Sequence, residues 1–310
     1  RLRHHVAMKE QHTPVAVVTG ANSGVGFHTS RVLVRDGWHV LMVCRSRERG
    51  DAARESIVEE FPDASPELVL CDLSSLDEVV DLADRLAERP RLDALVNNAG
   101  LFRQELTHTP DGFEWTLGVN HVAHMLLTLR LEDRLRRPGA RIVNVASGGH
   151  RSGRLERAPI EDILRGSTGS YSGLQAYGDS KLANILFTRE LVRRWGDDGT
   201  VALSLHPGVL SSRIWENTHG LIKLFSFAIR PFMEDPEVGG RATAALVTDE
   251  GRADDNGAYL KKFKVVEPSP AAQDDQLARD LWAATVEAIR PWLEESGDDG
   301  RASSTDRPDA

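Results

Sequence analysis

Short apolar runs alternate along the chain with longer segments of helical periodicity. Six runs show little of the alternation expected for a half-exposed strand and are rich in Val, Leu or Ile, as in strands buried on both faces. They are Val15–Thr19, Val40–Cys44, Leu68–Cys71, Leu92–Asn97, Arg141–Ala146 and Val201–His206, with a weaker seventh at Ala258–Leu260. The helical segments between them are Val25–Arg35, Arg47–Phe61, Leu76–Glu88, Gly112–Arg137 and Ala176–Trp195. This order predicts an α/β fold: a doubly wound, mostly parallel sheet of about seven strands with helices on both faces.

The length suggests two domains, but a single large α/β domain fits as well and is the arrangement we expect. We expect residues 14–295 of the 310-residue chain to form it, with a flexible segment at 1–13 and a disordered polar tail at 296–310. Two connections, near 148–175 and 208–235, are longer than usual and follow the ends of strands. Open α/β sheets bind ligands at that edge, so both are predicted substrate loops.

Composition and charge exclude several classes of function. The chain is 40% hydrophobic and has a net charge of −9, which argues against a nucleic-acid partner. Its best apolar stretch, Leu221–Ile229, contains Lys223 and is far shorter than the roughly 20 residues of a membrane span. With two cysteines and no apolar leader, we expect reduced thiols and a cytoplasmic location. The eleven histidines show no metal-binding spacing, so no metal is predicted.

A glycine-rich turn connects the first strand to the first helix. Gly20, Gly24 and Gly26 allow a sharp turn and a close backbone approach to a ligand. The helix that follows presents unpaired N–H groups and the positive end of its dipole to a phosphate. The turn therefore predicts a dinucleotide site that includes the intervening residues Asn22, Ser23 and Val25.

Further motifs follow the later strands in a fixed order. They are Asn97-Asn98-Ala99-Gly100 after the fourth strand, Tyr177-Gly178-Asp179-Ser180-Lys181 in a helix, and Pro207-Gly208 after the sixth strand. Together with the G-x-x-x-G-x-G turn, they closely resemble the short-chain dehydrogenase/reductase family in its single-domain form, from about Pro14 to Leu293. Residues 180–184, 186–191 and 206–209 look like its retinol-dehydrogenase-like branch, near the protochlorophyllide reductases.

The resemblance implies a Rossmann-type fold, a nicotinamide cofactor and further contacts to it. Asn98 would line the adenosine side, and Asp72 and Leu73 would flank the adenine. Leu210, just past Pro207-Gly208, would contact the cofactor near the nicotinamide end.

The end of the second strand carries information on which nicotinamide nucleotide binds. Enzymes that use NAD usually place an acidic residue there, on the ribose 2′-OH. This chain has Arg45 directly after Cys44 instead. A guanidinium matches a 2′-phosphate in geometry and charge, so the sequence favours NADP(H) over NAD(H). The alternative is a surface arginine near Glu48.

Tyr177 and Lys181 are four residues apart in a predicted helix and so share a face. Lowering the pKa of a tyrosine, ordinarily near 10, by about three units requires roughly 4 kcal/mol of phenolate stabilisation. One cation about 4 Å away supplies a similar amount at an effective dielectric near 20. We therefore expect Lys181 to bring Tyr177 towards the working range of a general acid/base.

Two more residues complete the catalytic set that the resemblance implies. Ser147 ends the fifth strand and would hydrogen-bond the substrate oxygen. Asn120 would hold a helix kink and a proton-relay water. In that mechanism the cofactor exchanges hydride with a carbonyl carbon, Tyr177 exchanges the proton, and Lys181 binds the nicotinamide ribose.

The sequence thus predicts an NADP(H)-dependent oxidoreductase acting on a small-molecule carbonyl or alcohol. The apolar residues in 208–235 suggest a lid over a lipophilic ketone, aldehyde or secondary alcohol. Two alternatives stay open: the same fold reducing an activated C=C bond, or a non-catalytic NADP-binding regulatory protein. The oligomeric state is open too, and a homo-oligomer is compatible with the sequence.

Overall fold

A computed structural model describes residues 13–208 and 235–294 of the protein. One sheet of eight strands has the order β3-β2-β1-β4-β5-β6-β7-β8, and its neighbouring strands are parallel except for β7 and β8. The strands are Val15–Thr19 (β1), His39–Cys44 (β2), Glu67–Leu70 (β3), Ala94–Asn97 (β4), Arg141–Val145 (β5), Val201–His206 (β6), Tyr259–Lys261 (β7) and Lys264–Val265 (β8). The predicted doubly wound, Rossmann-type sheet is confirmed.

Helices follow most of the strands. They are Gly24–Arg35 (α1), Arg47–Glu60 (α2), Leu76–Ala87 (α3), Trp115–Leu117 (α4), Ala123–Arg130 (α5), Glu132–Leu135 (α6), Ile160–Arg165 (α7), Gly173–Trp195 (α8), Pro236–Thr248 (α9), Asp275–Ala288 (α10) and Arg290–Glu294 (α11). Among the helices that the structure describes, none is long and apolar enough to cross a lipid bilayer.

The sheet separates two apolar cores, one on each face. Leu33 of α1, Ile57 of α2 and Leu246 of α9 pack on one face. Leu82 of α3 and Leu186 of α8 belong to the cluster on the other face. Because both faces are covered, the strands are buried on both sides, which explains their unalternated apolar sequences.

The strand order reverses between β1 and β4, since the chain winds outward from β1 to β3 and then returns to β4. Loops that leave the carboxyl ends of these two strands diverge and open a crevice, where such folds bind ligands. The glycine turn after β1 and the Asn97–Gly100 turn after β4 pack against each other at this end of the strands.

The structure differs from the sequence-based expectations in three places. An eighth strand, β8, adds an antiparallel edge; its two residues are exposed and gave no apolar signal. The helix predicted over 112–137 is instead divided, with a π-helical turn at Gly118–Val122 between α4 and α5. The connection 148–175 contains 3₁₀ turns and α7 rather than irregular loop alone.

Candidate active site

The glycine turn has the backbone conformation that its glycines allow. Gly20 and Gly24 have φ values of +66° and +55°, in the left-handed region that favours glycine. A Cβ on Gly26 would lie 2.4 Å from both the Gly20 carbonyl oxygen and Asn98 Nδ2, so that glycine packs against its surroundings. A Cβ on Gly24, in contrast, would meet no protein atom within 4 Å. The turn is therefore tightly packed at Gly26, whereas the space beside Gly24 is open.

The amino end of α1 differs from those of the other α-helices that a serine precedes. The Ser23 side chain makes no capping hydrogen bond there, whereas Ser46, Ser75 and Ser172 each accept one from the helix that they precede. The first-turn N–H groups of α1 thus remain available beside the open face of Gly24. This arrangement fits a pyrophosphate, which needs N–H donors and a close backbone approach. Asn22, Ser23 and Val25 are all half-buried in this turn.

The turn after β4 is fastened to the end of β1. Asn98 donates its side-chain amide to the Thr19 carbonyl at 2.7 Å and its backbone N–H to Thr19 Oγ1 at 2.9 Å. A Cβ on Gly100 would lie 3.2 Å from Lys181 Nζ. The Asn97–Gly100 turn therefore connects the glycine turn to the predicted catalytic helix.

Arg45 lies beside Asp72, at the carboxyl ends of β2 and β3. The distance from Arg45 Nη1 to Asp72 Oδ2 is 3.7 Å, and the arginine side chain is 56% exposed. Asp72 also accepts hydrogen bonds from the backbone and side chain of Ser74, and Leu73 is buried. The partner of Arg45 is thus Asp72 rather than Glu48, the neighbour considered from the sequence.

Ser147 and Tyr177 meet where the loop after β5 packs on α8. A hydrogen bond joins their side chains. Ser147 Oγ also accepts the Gly149 N–H at 3.1 Å. A Cβ on Gly149 would lie 3.1 Å from the Tyr177 ring, so a side chain there would displace the tyrosine. Phe102 contacts the same ring edge-on, with centroids 6.2 Å apart.

Lys181 lies on the same face of α8 as Tyr177, one turn further along. Its Nζ is 5.8 Å from the centre of the tyrosine ring and donates a hydrogen bond to the Val145 carbonyl at 3.0 Å. Burial lowers the pKa of Lys181 to about 8. The ammonium is thus held beneath the ring by a strand-end carbonyl.

The pKa of Tyr177 departs from the expectation drawn from the sequence. Burial of the phenol raises the pKa of Tyr177, and the hydrogen bond with Ser147 opposes that rise. The predicted lowering by Lys181 is not seen, because the ammonium donates to the Val145 carbonyl and lies at the face of the ring, 5.8 Å from its centre, rather than at the hydroxyl.

Asn120 lies in the π-helical turn and is fully buried. Its Oδ1 accepts the Leu101 N–H at 2.8 Å, and its Nδ2 donates to the Leu101 carbonyl at 3.0 Å and to Ser180 Oγ at 3.1 Å. The widened turn lets the side chain reach both the segment after β4 and helix α8. The expected irregularity at Asn120 is therefore present.

The structure brings together all four residues predicted to be catalytic, Asn120, Ser147, Tyr177 and Lys181, at the carboxyl edge of the sheet. Leu210 and the lid proposed within 208–235 lie outside the described residues, apart from Gly208 and Asp235. Tyr171, the nearest tyrosine in sequence, donates to Glu114 Oε1 at 2.9 Å, and burial with the Glu114 charge raises its pKa. Its hydroxyl also interacts with the side chain of Thr116, whereas the corresponding partner of Tyr177 is Ser147.

Three buried residues at the site were not identified from the sequence. Thr19 ends β1 and His124 lies in α5, and their two side chains are hydrogen-bonded. His150 contacts the Ser147 carbonyl through Nδ1 at 2.7 Å and accepts the Ser269 N–H at 3.1 Å. The pair of histidines after Asn120 was the available signal. Within residues 13–208 and 235–294, no group of three potential metal ligands is assembled.

Comparison with known proteins agrees with this geometry. Residues 14–158 match the model of the short chain dehydrogenase family. Retinol dehydrogenase 13 from Homo sapiens is 36% identical over 281 residues, covering 88% of this chain and 83% of that protein. The chain belongs to the short-chain dehydrogenase/reductase family. Retinol dehydrogenase 14 from Mus musculus is 37% identical, over 87% of this chain and 84% of the relative.

Solved structures agree with the assignment to this family. The crystal structure of an uncharacterized protein from Mycobacterium Paratuberculosis superposes with a TM-score of 0.71 at 31% identity, covering 89% of this chain and 93% of the other. A short chain dehydrogenase from Burkholderia cenocepacia, in complex with NADP, has a TM-score of 0.63 at 27% identity, covering 80% and 95%. The protein is thus an oxidoreductase of the retinol-dehydrogenase-like branch that acts on CH–OH or C=O groups.

Proposed function

We propose that this protein is an NADP(H)-dependent oxidoreductase that interconverts a lipophilic ketone or aldehyde and its alcohol. The observation that carries the proposal is the contact of Ser147 with Tyr177 beside the buried Lys181, in a fold whose glycine turn leaves open space at Gly24. The non-catalytic alternative gives no reason for a hydrogen-bonded hydroxyl pair beside a buried ammonium.

Each side chain has a distinct task in this proposal. The nicotinamide, when bound, supplies or accepts the hydride. Tyr177 Oη gives its proton to the substrate oxygen during reduction and takes it back during oxidation. Because Ser147 already hydrogen-bonds Tyr177, one oxygen atom can bind both hydroxyls, and Ser147 holds it in place. Burial keeps the phenol of Tyr177 protonated, which is the form that donates a proton during reduction.

Two observations support NADP(H) as the nucleotide. Arg45 occupies the strand end where an acidic residue would bind the 2′-OH of NAD, and its guanidinium is more than half exposed. The Burkholderia cenocepacia structure contains NADP. Asp72, 3.7 Å from Arg45, is a competing anion, so the preference depends on the arginine turning towards the phosphate.

Three observations support a lipophilic substrate. Phe102 lies edge-on against Tyr177, which gives the reacting side of the crevice an apolar wall. Several relatives are named retinol dehydrogenases, and retinol is an apolar alcohol. The sequence 208–235 adds many apolar residues after β6.

A cytoplasmic location and homo-oligomer formation stay predictions, which cell fractionation and sedimentation would test.

The proposed function is tested by following NADPH oxidation at 340 nm with a panel of carbonyl compounds, including retinal and small charged ketones, and by identifying products. We expect Tyr177→Phe to lower kcat by about 10² to 10⁴-fold, as for other general acid/base groups, with NADPH binding retained. Tyr171→Phe is the matched control, because Tyr171 is likewise half-buried and hydrogen-bonded but bonds Glu114.

Near-normal turnover in purified Tyr177→Phe would refute the proton-transfer role. Best activity on a small charged carbonyl would refute the lipophilic substrate class, and a product reduced at C=C would establish the alternative reaction.

A further inference from the structure

His124 of α5 is buried between the end of β1 and the π-helical turn, with 1% of its surface exposed. Both nitrogens of its ring have a partner. Nε2 lies 2.9 Å from Thr19 Oγ1, and Nδ1 lies 3.1 Å from the backbone carbonyl oxygen of Asn120. The ring therefore bridges the strand that leads into the glycine turn and a predicted catalytic residue.

The hydrogen bonds of Thr19 determine how its hydroxyl group is oriented. Thr19 Oγ1 accepts the backbone N–H groups of Asn98 and Ala99, each at 2.9 Å. A hydroxyl oxygen has two lone pairs, and these two donors occupy them. The single hydroxyl hydrogen then points to His124 Nε2 at 2.9 Å, which is closer than the alternative Val96 carbonyl at 3.3 Å.

These partners fix the tautomer of His124. The Asn120 carbonyl only accepts, so Nδ1 carries the hydrogen, and Nε2 accepts from Thr19. A protonated ring would turn a second donor towards a hydroxyl with no free lone pair. Burial and the nearby charge of Lys181 lower the pKa of His124 to about 4, in agreement with a permanently neutral ring.

We infer that His124 is a positioning residue that holds the cofactor-side turns and the proton-transfer site at a fixed separation. This inference rests on the proposed function. On one side, Thr19 fastens the Asn98 turn. On the other side, Asn120 bonds Ser180, and Ser180 Oγ donates to the Tyr177 carbonyl at 2.8 Å. His124 is the link between the two halves, and it contacts neither cofactor nor substrate in this role.

His121 provides a matched comparison within the same segment. It is equally buried, and burial lowers its pKa to about 3. Its ring contacts Thr285 Oγ1 at 3.4 Å and the edge of Phe187 instead of β1. Replacing His121 therefore perturbs the packing of the same segment while the bridge from Thr19 to Asn120 stays intact.

The test is a double-mutant cycle on His124→Phe and Thr19→Val, with His121→Phe as the packing control and Thr19→Ser as the conservative variant. Measurements are kcat, the NADPH dissociation constant and Tm. A displacement of about 1 Å at a reacting centre can cost about 100-fold in rate. We expect His124→Phe and Thr19→Val each to lose about 10- to 100-fold in kcat, measured at a temperature well below the Tm of the variant. The double variant should be no worse than the poorer single one, and Thr19→Ser should keep most of the activity.

Independent, additive losses, or a kcat for His124→Phe that matches His121→Phe, would overturn the inference. Nitrogen-15 spectra of the histidine rings of the wild-type protein test it even if a variant fails to fold. Hydrogen on Nδ1 of His124 supports the bridge, whereas hydrogen on Nε2 excludes it. If the wild type binds NADPH but reduces no carbonyl, the proposed function fails. The inference about His124 is then still tested by whether the effects of His124→Phe and Thr19→Val on the NADPH dissociation constant are coupled.

Discussion

At the scale of single residues, Arg45 shows how one side chain can favour a cofactor while its neighbour opposes it. Asp72 is close enough to neutralise the guanidinium in part, and it would repel a 2′-phosphate once the arginine is removed. Both side chains are partly exposed, so their mutual attraction is weak, and the arginine can exchange Asp72 for a phosphate at small cost.

We expect Arg45→Ala to weaken NADPH binding by about 10- to 150-fold, which corresponds to the roughly 1.5–3 kcal/mol of a charge-assisted hydrogen bond. NADH binding should change little, because its ribose carries no phosphate at that position. Fluorescence titration of both nucleotides measures the effect.

The control is Arg54→Ala, which removes the same charge from α2, where Arg54 pairs with Asp51 at 3.3 Å. An equal loss for NADH and NADPH in Arg45→Ala, or a wild type that prefers NADH in kcat/KM, would contradict the assignment of Arg45.

At the scale of elements, the close packing of α8 on the loop after β5 sets the position of Tyr177. A Cβ on Gly178 would lie 2.4 Å from Ser152 Oγ and 3.0 Å from the Gly153 nitrogen. The Ser152 hydroxyl donates to the Gly149 carbonyl at 2.8 Å, and Gly149 lies against the Tyr177 ring. The helix and the loop can therefore approach this closely only because residue 178 has no Cβ.

Gly178→Ala should push residues 148–153 away from α8 and lower kcat by about 100-fold, because Ser147 and Tyr177 would no longer converge. Overpacking should also cost about 1–3 kcal/mol of stability. Steady-state rates and thermal unfolding measure the two effects.

Gly196→Ala, at the far end of α8, is the control: its φ is −61° and its Cβ would have its nearest neighbour at 3.4 Å. It should leave kcat unchanged. Wild-type kcat in Gly178→Ala would show that the contact does not position the tyrosine.

Elements whose sequence pattern reflects local physics were predictable. β1 and β6 have the predicted bounds, and α2 and α3 end within one residue of prediction, because buried parallel strands and amphipathic helices carry a periodic apolar signal. The π-helical turn at Gly118–Val122 was not predictable in detail, since it depends on Asn120 finding Leu101 and Ser180, which are distant in sequence.

The candidate site shows the same division. The four-residue spacing of Tyr177 and Lys181 was sufficient to predict that they share a face of one helix, and the resemblance to the family implied that Ser147 lies beside them. The raised pKa of Tyr177 was not predicted. Burial of the phenol raises it, and the Val145 carbonyl holds the Lys181 ammonium away from the hydroxyl. Thr19 and His124 were missed for a related reason: their importance lies in a hydrogen bond across 105 residues of sequence.

At the scale of the whole molecule, the carboxyl ends and the amino ends of the strands, here called the two edges of the sheet, serve different purposes. The predicted site residues lie at the carboxyl edge, while Asp93 joins strands at the amino edge. Its backbone bonds Val15 and Arg141, at the starts of β1 and β5, and its carboxylate accepts the Val15 N–H at 2.9 Å. Since β1 is five residues long, the edges are about 17 Å apart. Stability and activity should therefore respond separately to substitutions at the two edges.

Asp93→Asn should lower stability at neutral pH by about 1.5–3 kcal/mol and leave kcat unchanged. Burial acts to raise the pKa of Asp93, but hydrogen bonds from Arg91, the Val15 amide and Arg137 outweigh it and hold the pKa below its usual value. A carboxylate with a lowered pKa stabilises the fold above its unfolded pKa of about 3.9, and that contribution is lost as the pH falls further. Urea unfolding of the two proteins should therefore differ at pH 7 and converge in acid.

Asp84→Asn is the control: it removes the partner of Arg130, but Asp84 is 61% exposed, so the substitution should cost less than about 1 kcal/mol. A difference between wild type and Asp93→Asn that persists unchanged in acid, or a fall in kcat without unfolding, would show that Asp93 acts on the site and not on the stability of the sheet.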